Sequence, residues 1–409
     1  MNILFLGGVF YGKMKDEVIE NSKQYIQYAA DKLQWNIING LEANGGNITI
    51  LNMPFVGVYP VSYKSMYVNP YKFSHNGISD DVSVGFMNLR LVHKIFKYSS
   101  LSRQLKKCLS TLQKRNQLPD AIIIYSVDSV FLNVAKLAKH LYPSINICLV
   151  APDLPEYMNL NDKQSLLGKI TKKVDLFLID KSLKIVDSFV LITEHMAAAL
   201  NAGTRPYTIV EGMVPLNTHE SELKEEKQDK VKTILYTGTL TKKYGIMHLL
   251  SAFSLIENQD YRLVICGSGE AEPEVKAACI SDSRVAYRGL LSPEEIAVMQ
   301  KQATVLVNPR QNDNGFTKYS FPSKIMEYLL SGTATVAYKL SGMPNEYDDY
   351  IFYIEGDSPK HMADKLVQVC EMDQKERSDF AGRAKNFVLN NKNNIVQSEK
   401  ILNMLRHNN

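Results

Sequence analysis

The strongest constraint on the fold is the alternation of strand-like and helix-like segments along almost the whole chain. Short apolar runs typical of strands occur in the first half at Ile3–Leu6, Ile48–Leu51, Ala121–Tyr125, Ile145–Val150 and Val190–Ile192. The helical patterns between them include Gln24–Glu42 and Val130–His140. In the second half the strand-like runs are Thr233–Tyr236, Arg262–Cys266, Val285–Tyr287, Thr304–Asn308 and Thr335–Tyr338. This alternation predicts an α/β fold with parallel, doubly wound sheets.

A polar segment interrupts the alternation near the middle of the chain. Glu220–Lys232 has almost no apolar residues, and the 409 residues are too many for one ordinary core. We therefore predict an N-terminal Rossmann-like domain over residues 1–215, a linker over 216–232 and a second Rossmann-like domain over 233–390. Ligands of such sheets bind at the carboxyl ends of the strands, so we expect the site in a cleft between the two domains.

The composition narrows the class of protein. Hydrophobic residues make up 45% and charged residues 22% of the chain, as in soluble globular proteins. No apolar run approaches the roughly 20 residues that span a bilayer, and the first residues resemble a strand more than a signal peptide. The five cysteines are scattered and never in CxxC spacing. This favours a reducing, cytoplasmic location and argues against disulfides and a zinc site.

One segment is strongly basic, although the net charge of the chain is only +4. Residues 90–117 contain eight Lys or Arg residues and no acid, with apolar residues between them. One interpretation is a helix that packs on its own domain and has a solvated basic face. The other is a surface for anionic lipid head groups, peripheral at the inner face of the cell membrane. Nucleic acid is not an expected partner, because no nucleic-acid-binding motif accompanies the charge.

The most informative segment runs from Tyr319 to Gly332 and reads YSFPSKIMEYLLSG. Pro322 favours a first helical turn and Gly332 a helix end. Lys324 and Glu327 would lie together on the face opposite the apolar residues. A helix start after a strand and a loop suits a phosphate; Lys324 would add charge, and Glu327 could accept hydrogen bonds from ribose hydroxyls. The alternative is an ordinary amphipathic helix with a solvated Lys/Glu face.

This segment resembles the donor-binding signature of retaining glycosyltransferases of the GT-B fold, group 1 (family 4). The resemblance implies a donor-binding role for Tyr319, Ser320, Phe321, Pro322, Ser323, Lys324 and Glu327. The family has two glutamates here, of which the second holds the ribose and the first contacts the donor sugar. Glu327 matches the second, whereas Tyr319 stands at the position of the first. The identity of the donor sugar is therefore left open by the resemblance.

A second segment, YTGTLTKKYG, opens the second domain and is similar to the family's G-R-L…K-G stretch. In the family, an arginine and a lysine of this stretch neutralise the donor phosphates. Thr239 and Tyr244 stand at those positions here, so Lys242 or Lys243 is expected to supply the charge after the turn at Gly238. Lys243 is also predicted as a catalytic residue. An exposed lysine pair before a helix is the alternative.

Two more loops of the second half resemble the family. Gly267 and Gly269, in the sequence CGSGE, match a strand-ending G-x-G-E loop, although many αβ turns use glycines in this way. Arg288 begins a loop similar to the one beside the nucleotide base. Ser292 and Glu295 in that loop form a capping-box pattern, which accounts for most of it structurally.

In the first half the resemblance is confined to a few loops. Gly7 and Gly8 follow the first strand, where the family has a glycine loop near the donor diphosphate and the acceptor; a plain turn is the alternative. Asp153 follows the strand Ile145–Val150, where many relatives have a histidine. We predict that Asp153 orients the acceptor or stabilises charge, with a turn carboxylate as the alternative. His195 is a weaker candidate, because a lone histidine more often packs or starts a helix.

The resemblance implies transfer of a sugar, with retention, from a nucleoside-diphosphate sugar to a glycan or lipid-linked acceptor. UDP is the preferred nucleotide, and surface polysaccharide biosynthesis is the expected role. The resemblance implies neither a metal nor a cofactor. It also implies a terminal helix in residues 391–409 that packs back on the first domain. A catalytically degenerate nucleotide-sugar-binding protein and a GT-B-fold nucleotide-sugar epimerase are the alternative functions.

Overall fold

The chain divides into two compact units. The computed structural model describes residues 1–23, 26–156, 166–216, 231–312 and 315–407. Unit 1 comprises Met1–Glu211 and Asn394–Asn409, and unit 2 comprises Gly212–Asn393. These bounds differ by a few residues from those expected from the sequence. The predicted linker, 216–232, lies almost entirely outside the described residues.

Unit 1 contains an eight-stranded sheet. Its first four strands are β1 (Asn2–Gly7), β2 (Asn47–Asn52), β4 (Tyr71–Phe73) and β5 (Asp81–Ser83). Two further short strands, β3 (Tyr67–Val68) and β6 (Phe86–Met87), form an antiparallel pair outside this sheet. Its remaining strands are β7 (Ala121–Tyr125), β8 (Asn146–Ala151), β9 (Ser188–Leu191) and β10 (Tyr207–Ile209). The order is β10-β9-β8-β7-β1-β2-β5-β4, with only β4 antiparallel to its neighbour among these described strands. The order reverses between β1 and β7, where ligands of such sheets bind.

The helices of unit 1 connect these strands. Those before residue 212 are α1 (Gly12–Asn21), α2 (Tyr28–Ala43), α3 (His93–Lys114), α4 (Ser129–Leu141), α5 (Leu166–Leu183) and α6 (His195–Ala199). The central strands β1, β7 and β8 are Ile-, Leu- and Val-rich and buried, because parallel strands of this kind are covered by helices on both faces. The predicted basic segment forms α3, and its leucines Leu101, Leu105, Leu109 and Leu112 are buried.

Unit 2 contains a six-stranded parallel sheet. Its strands are β11 (Lys232–Thr237), β12 (Tyr261–Cys266), β13 (Val285–Gly289), β14 (Val305–Asn308), β15 (Thr335–Ala337) and β16 (Phe352–Tyr353). Its helices are α7 (Ile246–Ser254), α8 (Glu272–Ser281), α9 (Pro293–Gln302), α10 (Ser323–Ser331), α11 (Pro359–Glu371) and α12 (Gln374–Asn391). The strand order β13-β12-β11-β14-β15-β16 reverses between β11 and β14.

The last helix, α13 (Asn394–His407), belongs to unit 1. It packs on α2, where Ser398 Oγ donates a hydrogen bond to the carbonyl oxygen of Ile37 at 3.3 Å. Gly40 permits this approach, because a Cβ there would lie 2.1 Å from the carbonyl oxygen of Asn394. The chain therefore passes from unit 1 to unit 2 near residue 211 and returns to unit 1 near residue 393.

The predicted α/β fold with parallel sheets is confirmed. Strand β7 has the bounds expected from the sequence, and the other predicted strands shift by one or two residues at their ends, as expected for pattern-based bounds. The terminal helix expected in residues 391–409 is α13, and Lys392 and Asn393 separate it from α12. Within the described residues, no helix has the length and apolar character needed to cross a membrane.

Candidate donor and acceptor sites

Most of the predicted donor residues of unit 2 follow β11 and β14, the two strands between which the strand order reverses. The loops after these two strands touch each other. Gly245, at the end of the first loop, has a φ of 82°, and a Cβ there would lie 2.1 Å from the carbonyl oxygen of Pro309 in the second. The reversal point is where parallel α/β sheets bind ligands, so the location fits a ligand site.

Helix α10 begins after the second of these loops. Pro322 is its N-cap residue, and Gly332 ends it in the left-handed conformation with a φ of 75°. Its buried residues are Ile325, Met326, Tyr328 and Leu329. Lys324 and Glu327 lie on the other face, where Lys324 Nζ is 2.6 Å from Glu327 Oε2. Proline has no polar side chain, so the N-cap residue does not neutralise the positive end of the helix dipole.

The two lysines after β11 have different surroundings. Lys242 Nζ lies 2.7 Å from Glu274 Oε1, and this hydrogen bond and charge raise the pKa of Lys242 above its usual 10.5. Lys243 Nζ instead lies 4.3 Å from the centre of the Phe316 ring, in the segment before α10. Of the two expected phosphate ligands, Lys243 is the one that contacts the segment before α10.

Gly267 and Gly269 bring two loops of the protein together. A Cβ on Gly267 would lie 1.8 Å from the carbonyl oxygen of Gly238, and one on Gly269 would lie 2.3 Å from that of Leu240. The N–H of Leu240 also donates to the carbonyl oxygen of Ser268 at 2.9 Å. Loop packing alone thus requires glycine at both positions, and contact of these glycines with a ligand stays a prediction.

Arg288 is exposed on β13, at the edge of the sheet. The predicted capping box beside it is confirmed: Glu295 N–H donates to Ser292 Oγ at 3.2 Å, and Ser292 N–H donates to the Glu295 carboxylate at 2.8 Å. The hydroxyl of Tyr287 donates to the carbonyl oxygen of Gly267 at 2.9 Å, which joins β13 to the glycine loop. The role of Arg288 near a nucleotide base stays a prediction.

The residues just before α10 differ in exposure. Tyr319 ends a short 3-10 turn and is partly exposed, with Lys318 Nζ 4.8 Å from its ring centre. Phe321 is buried, and its ring centre lies 5.1 Å from that of Tyr347. Ser320 is also buried, and its Oγ accepts a hydrogen bond of 2.9 Å from Arg310 Nη2. Ser320 and Phe321 therefore support the loop from inside the unit.

Arg310 is the functional candidate that the sequence interpretation missed. It lies two residues after the end of β14 and is only 8% exposed. Its guanidinium carbon lies 4.7 Å from the centre of the Phe316 ring and 5.1 Å from that of Tyr244. A single arginine in a loop carries no motif, so the only available signal was its position at the carboxyl end of a predicted strand.

In unit 1, the glycines after β1 accommodate side chains of the same unit. A Cβ on Gly7 would lie 2.4 Å from Gln34 Oε1, and one on Gly8 would lie 2.5 Å from the Phe55 ring. Packing within unit 1 is thus enough to explain glycine at both positions, in agreement with the alternative of a plain turn. Contact of Gly7 and Gly8 with an acceptor stays a prediction.

The N–H groups of this loop have protein acceptors. Those of residues 8, 9 and 10 donate to Gln34 Oε1, Asn52 Oδ1 and Asp31 Oδ1, at 2.7, 2.7 and 2.8 Å respectively. Burial raises the pKa of Asp31 above its usual 3.8, and the hydrogen bond from the loop offsets only part of that effect. Asp31 was also missed, because an acid in the first turn of a helix is an ordinary feature.

Asp153 is exposed in the turn after β8. Burial raises the pKa of Tyr125, at the end of β7, and the negative charges of Asp153 and Asp31 raise it further. The two carboxylates therefore act on the same buried tyrosine at this end of the sheet. Asp153 thus has electrostatic neighbours that the sequence did not reveal. The weaker candidate of this unit, His195, begins α6 with an exposed side chain.

The predicted site residues are divided between the units. Gly7, Gly8 and Asp153 belong to unit 1, and every predicted donor residue belongs to unit 2. Within unit 2, the loops after β11, β12 and β14 are joined by direct contacts, whereas Arg288 extends from an edge strand.

Residues 217–387 match the family of glycosyl transferases group 1. An uncharacterized glycosyltransferase of Methanocaldococcus jannaschii is 28% identical over 120 residues. That alignment covers 28% of this chain and 29% of the relative, so the chain matches less than a third of the relative's length.

Solved structures of similar fold cover the whole chain. Sucrose-phosphate synthase from Thermosynechococcus elongatus superposes with a TM-score of 0.67 at 12% identity, over 100% of this chain and 99% of that one. HepE of Anabaena, solved in complex with UDP, has a TM-score of 0.62 at 12% identity, over 100% of both chains. The chain therefore has the GT-B fold, and its residues 217–387 are similar to the group 1 glycosyl transferases.

Proposed function

We propose that the protein is a glycosyltransferase that moves a sugar from a nucleoside-diphosphate sugar, UDP-linked by preference, to a glycan or lipid-linked acceptor. The observation that carries this proposal is the Lys324/Glu327 face on the first turns of α10, beside the reversal of strand order. The match of this region to the group 1 family supports it. Structural neighbours solved with UDP and UDP-glucose support the choice of nucleotide.

In the proposed reaction, the bond between the anomeric carbon and the diphosphate breaks, and a bond to the acceptor oxygen forms with retention, as in family 4. The acceptor proton passes to an oxygen of the departing diphosphate. The dipole of α10, with Lys243 and Lys324, stabilises the negative charge that develops there. Glu327 holds the ribose hydroxyls, and Asp153 orients the acceptor hydroxyl.

The role of Glu327 can be tested by nucleotide binding. We expect Glu327→Ala to weaken UDP binding by at least about 10-fold, because hydrogen bonds to a charged group contribute about 1.5–3 kcal/mol each. We expect the wild type to bind UDP more tightly than 2′-deoxy-UDP, and Glu327→Ala to discriminate little between them. Glu257→Ala, at an exposed glutamate of the same unit that precedes β12, is the matched control. Unchanged UDP affinity in Glu327→Ala, measured by calorimetry, would refute the ribose role.

Turnover separates the proposed function from its alternatives. The protein is incubated with a panel of UDP- and GDP-sugars and with glycan and lipid-linked acceptors. Release of free nucleoside diphosphate with a glycosylated product supports the transferase, and NMR of the anomeric proton tests retention. Sugar isomers without acceptor would instead identify an epimerase. Tight binding without turnover would identify a degenerate binding protein.

We also propose that transfer needs no metal. In the part of the chain that the structure describes, no group of three or more His, Cys, Asp and Glu side chains is arranged to hold a metal ion. Activity that persists in EDTA would agree with this proposal. Activity that is lost in EDTA and restored by Mg²⁺ or Mn²⁺ would contradict it.

The proposed lipid-linked acceptor would bring the enzyme to a membrane surface as part of surface polysaccharide biosynthesis. Near the start of α3, Leu91 is 72% and Ile95 is 67% exposed, and Lys106 and Lys107 are exposed further along the helix. Apolar side chains beside lysines suit an anionic bilayer. Sedimentation with phosphatidylglycerol vesicles, but not with phosphatidylcholine vesicles, is expected, and it should fall in a Leu91→Ser/Ile95→Ser variant. Equal sedimentation with both lipids would count against membrane contact.

A further inference from the structure

The first two turns of α3 carry basic residues where the rest of the helix carries buried leucines. At about 100° per residue, His93, Lys94 and Lys97 lie on the side of the helix that continues into Leu101 and Leu105. We call these three residues the basic stripe. The two leucines are fully buried, and Lys97 is itself partly buried. A charge in this position is costly unless it gains a polar partner, because it is partly removed from water.

The basic stripe lies at the same end of the sheet as the predicted acceptor residues. Lys94 Nζ is 3.3 Å from Ser129 Oγ, in the first turn of α4, which follows β7. In the same turn, the centre of the Phe131 ring lies 6.1 Å from that of Phe55, whose ring a Cβ on Gly8 would meet. Strands β7 and β1 flank the reversal of strand order in unit 1, where ligands of such sheets bind.

Two members of the basic stripe have hydrogen-bond partners in unit 1. Lys94 Nζ is 2.5 Å from Asp175 Oδ1, so its charge is paired. His93 Nδ1 donates to the carbonyl oxygen of Arg90 at 3.0 Å. Burial lowers the pKa of His93, and the positive charge of Lys97 lowers it further. The ammonium of Lys97 therefore acts against protonation of the ring.

Lys97 is the member of the stripe with unused hydrogen-bond donors. Its Nζ lies 4.9 Å from the centre of the Phe86 ring, and it donates to no oxygen of the residues that the structure describes. Burial lowers the pKa of Lys97, and the charge of Asp128 opposes that effect. The Asp128 carboxylate itself accepts the N–H groups of residues 130 and 131, as the N-cap of α4. An ammonium has three donors, so a ligand with several oxygens, such as a phosphate, fits this position.

We propose that Lys97 and His93 bind the phosphate group of a lipid-linked acceptor. The inference rests on the proposed function and gives the acceptor a chemical class, a phosphate ester of a lipid. The phosphate offers oxygens to the ammonium of Lys97 and to Nε2 of His93, and its charge favours the protonated ring. Leu91 and Ile95, exposed at the same end of the helix, suit the hydrocarbon chain.

The test measures binding of geranyl phosphate, a soluble lipid phosphate, by calorimetry. The protein is saturated with UDP, so that the donor site is occupied. Lys97→Gln should weaken geranyl phosphate binding about 10-fold, as expected for a lost hydrogen bond between charged groups. Lys97→Arg keeps the charge and should retain most of the affinity. Lys107→Gln, at an exposed lysine of the same helix, is the matched control and should bind as the wild type does.

Geraniol, which has no phosphate, separates a binding role from a structural one. Its affinity should be the same in the wild type and in Lys97→Gln. An equal loss of geraniol and geranyl phosphate binding in that variant would overturn the inference, because the defect would then be structural. If Lys97→Gln does not fold, His93→Gln decides: weaker binding of geranyl phosphate alone supports the inference, and unchanged binding contradicts it.

Two further outcomes would overturn the inference while the proposed function stands. One is geranyl phosphate binding that is absent from the wild type or unchanged in Lys97→Gln. The other is a Lys97→Gln variant that loses sedimentation with phosphatidylglycerol vesicles as fully as Leu91→Ser/Ile95→Ser does, which would assign the ammonium to bilayer head groups. Failure of the wild type to bind UDP, GDP or ADP would instead overturn the proposed function.

Discussion

The loop after β1 in unit 1 and the segment before α10 in unit 2 are both at the ends of strands where the sheet order reverses, but they are built in opposite ways. In unit 1, three successive N–H groups donate to side chains of the same unit, including Gln34 and Asn52. In unit 2, a proline is the N-cap residue of α10, and Arg310 and Lys243 lie against the Phe316 ring in the segment before it. Amide and carboxylate oxygens therefore accept the N–H groups after β1, whereas cationic side chains lie in the loops after β11 and β14.

This difference shows which sequence features report on ligands. Gly7 and Gly8 are required by nearby side chains, and Gly267 is required by a neighbouring loop. Glycine after a strand therefore records close packing as readily as a ligand. Lysine and arginine near a helix start are a different kind of signal, because their charge and the helix dipole both attract an anion.

The largest expected effect on stability is in the filled loop of unit 1. Asn52 is fully buried, accepts from the N–H of Val9 at 2.7 Å and donates to its carbonyl oxygen at 2.9 Å. Asn52→Ala should lower the free energy of unfolding by about 2–4 kcal/mol, because it leaves a buried N–H and a buried C=O without their partner. Urea unfolding measures this loss, with the exposed Asn69→Ala as control. A change below about 0.5 kcal/mol would show that the loop does not depend on this amide.

A smaller effect, dependent on pH, is expected at His75 in the same unit. Its Nδ1 is 2.6 Å from Asp81 Oδ2 and its Nε2 is 3.0 Å from Glu42 Oε1. Burial lowers the pKa of His75, but the hydrogen bond and charge of Asp81, with the charge of Glu42, outweigh it and raise the pKa above 6.5. The stability from the protonated ring is therefore fully present below pH 6.5 and is lost as the pH rises through the raised pKa.

The measurement compares urea unfolding at about pH 6 and about pH 9. His75→Gln should lower the free energy of unfolding by about 1.5–3 kcal/mol at the lower pH, since charged hydrogen bonds are lost, and by less at the higher pH. His140→Gln, at an exposed histidine of α4, should keep the pH dependence of the wild type. A His75→Gln profile parallel to that of the wild type would contradict the assignment.

The smallest effect on stability is expected at the start of α10. The Lys324–Glu327 pair is about one third exposed, and such pairs contribute little. Lys324→Ala should change the free energy of unfolding by less than about 0.5 kcal/mol, as should Lys360→Ala, which removes the exposed pair with Asp364. Only Lys324→Ala should weaken UDP binding. Equal UDP affinities in the two variants would remove Lys324 from the donor site.

Much of the fold was predictable because its signals are local. The apolar run Ala121–Tyr125 is a strand with those bounds, and the Ser292 capping box forms as expected. Helix α10 was also predictable from its own residues, from Pro322 to Gly332. The surroundings of Arg310 were not predictable, because only the folded chain brings Tyr244 and Ser320 into contact with it.

The sequence alone determined the alternating elements, their parallel arrangement and the two ends of helix α10, because periodic burial and helix ends depend on neighbouring residues. The tertiary structure alone decided which polar groups meet. It placed Gln34, Asn52 and Asp31 on the loop after β1, and Arg310 against the residues before α10. Such partnerships join residues that are distant in the chain, and their distances depend on how the strands are ordered in the sheet.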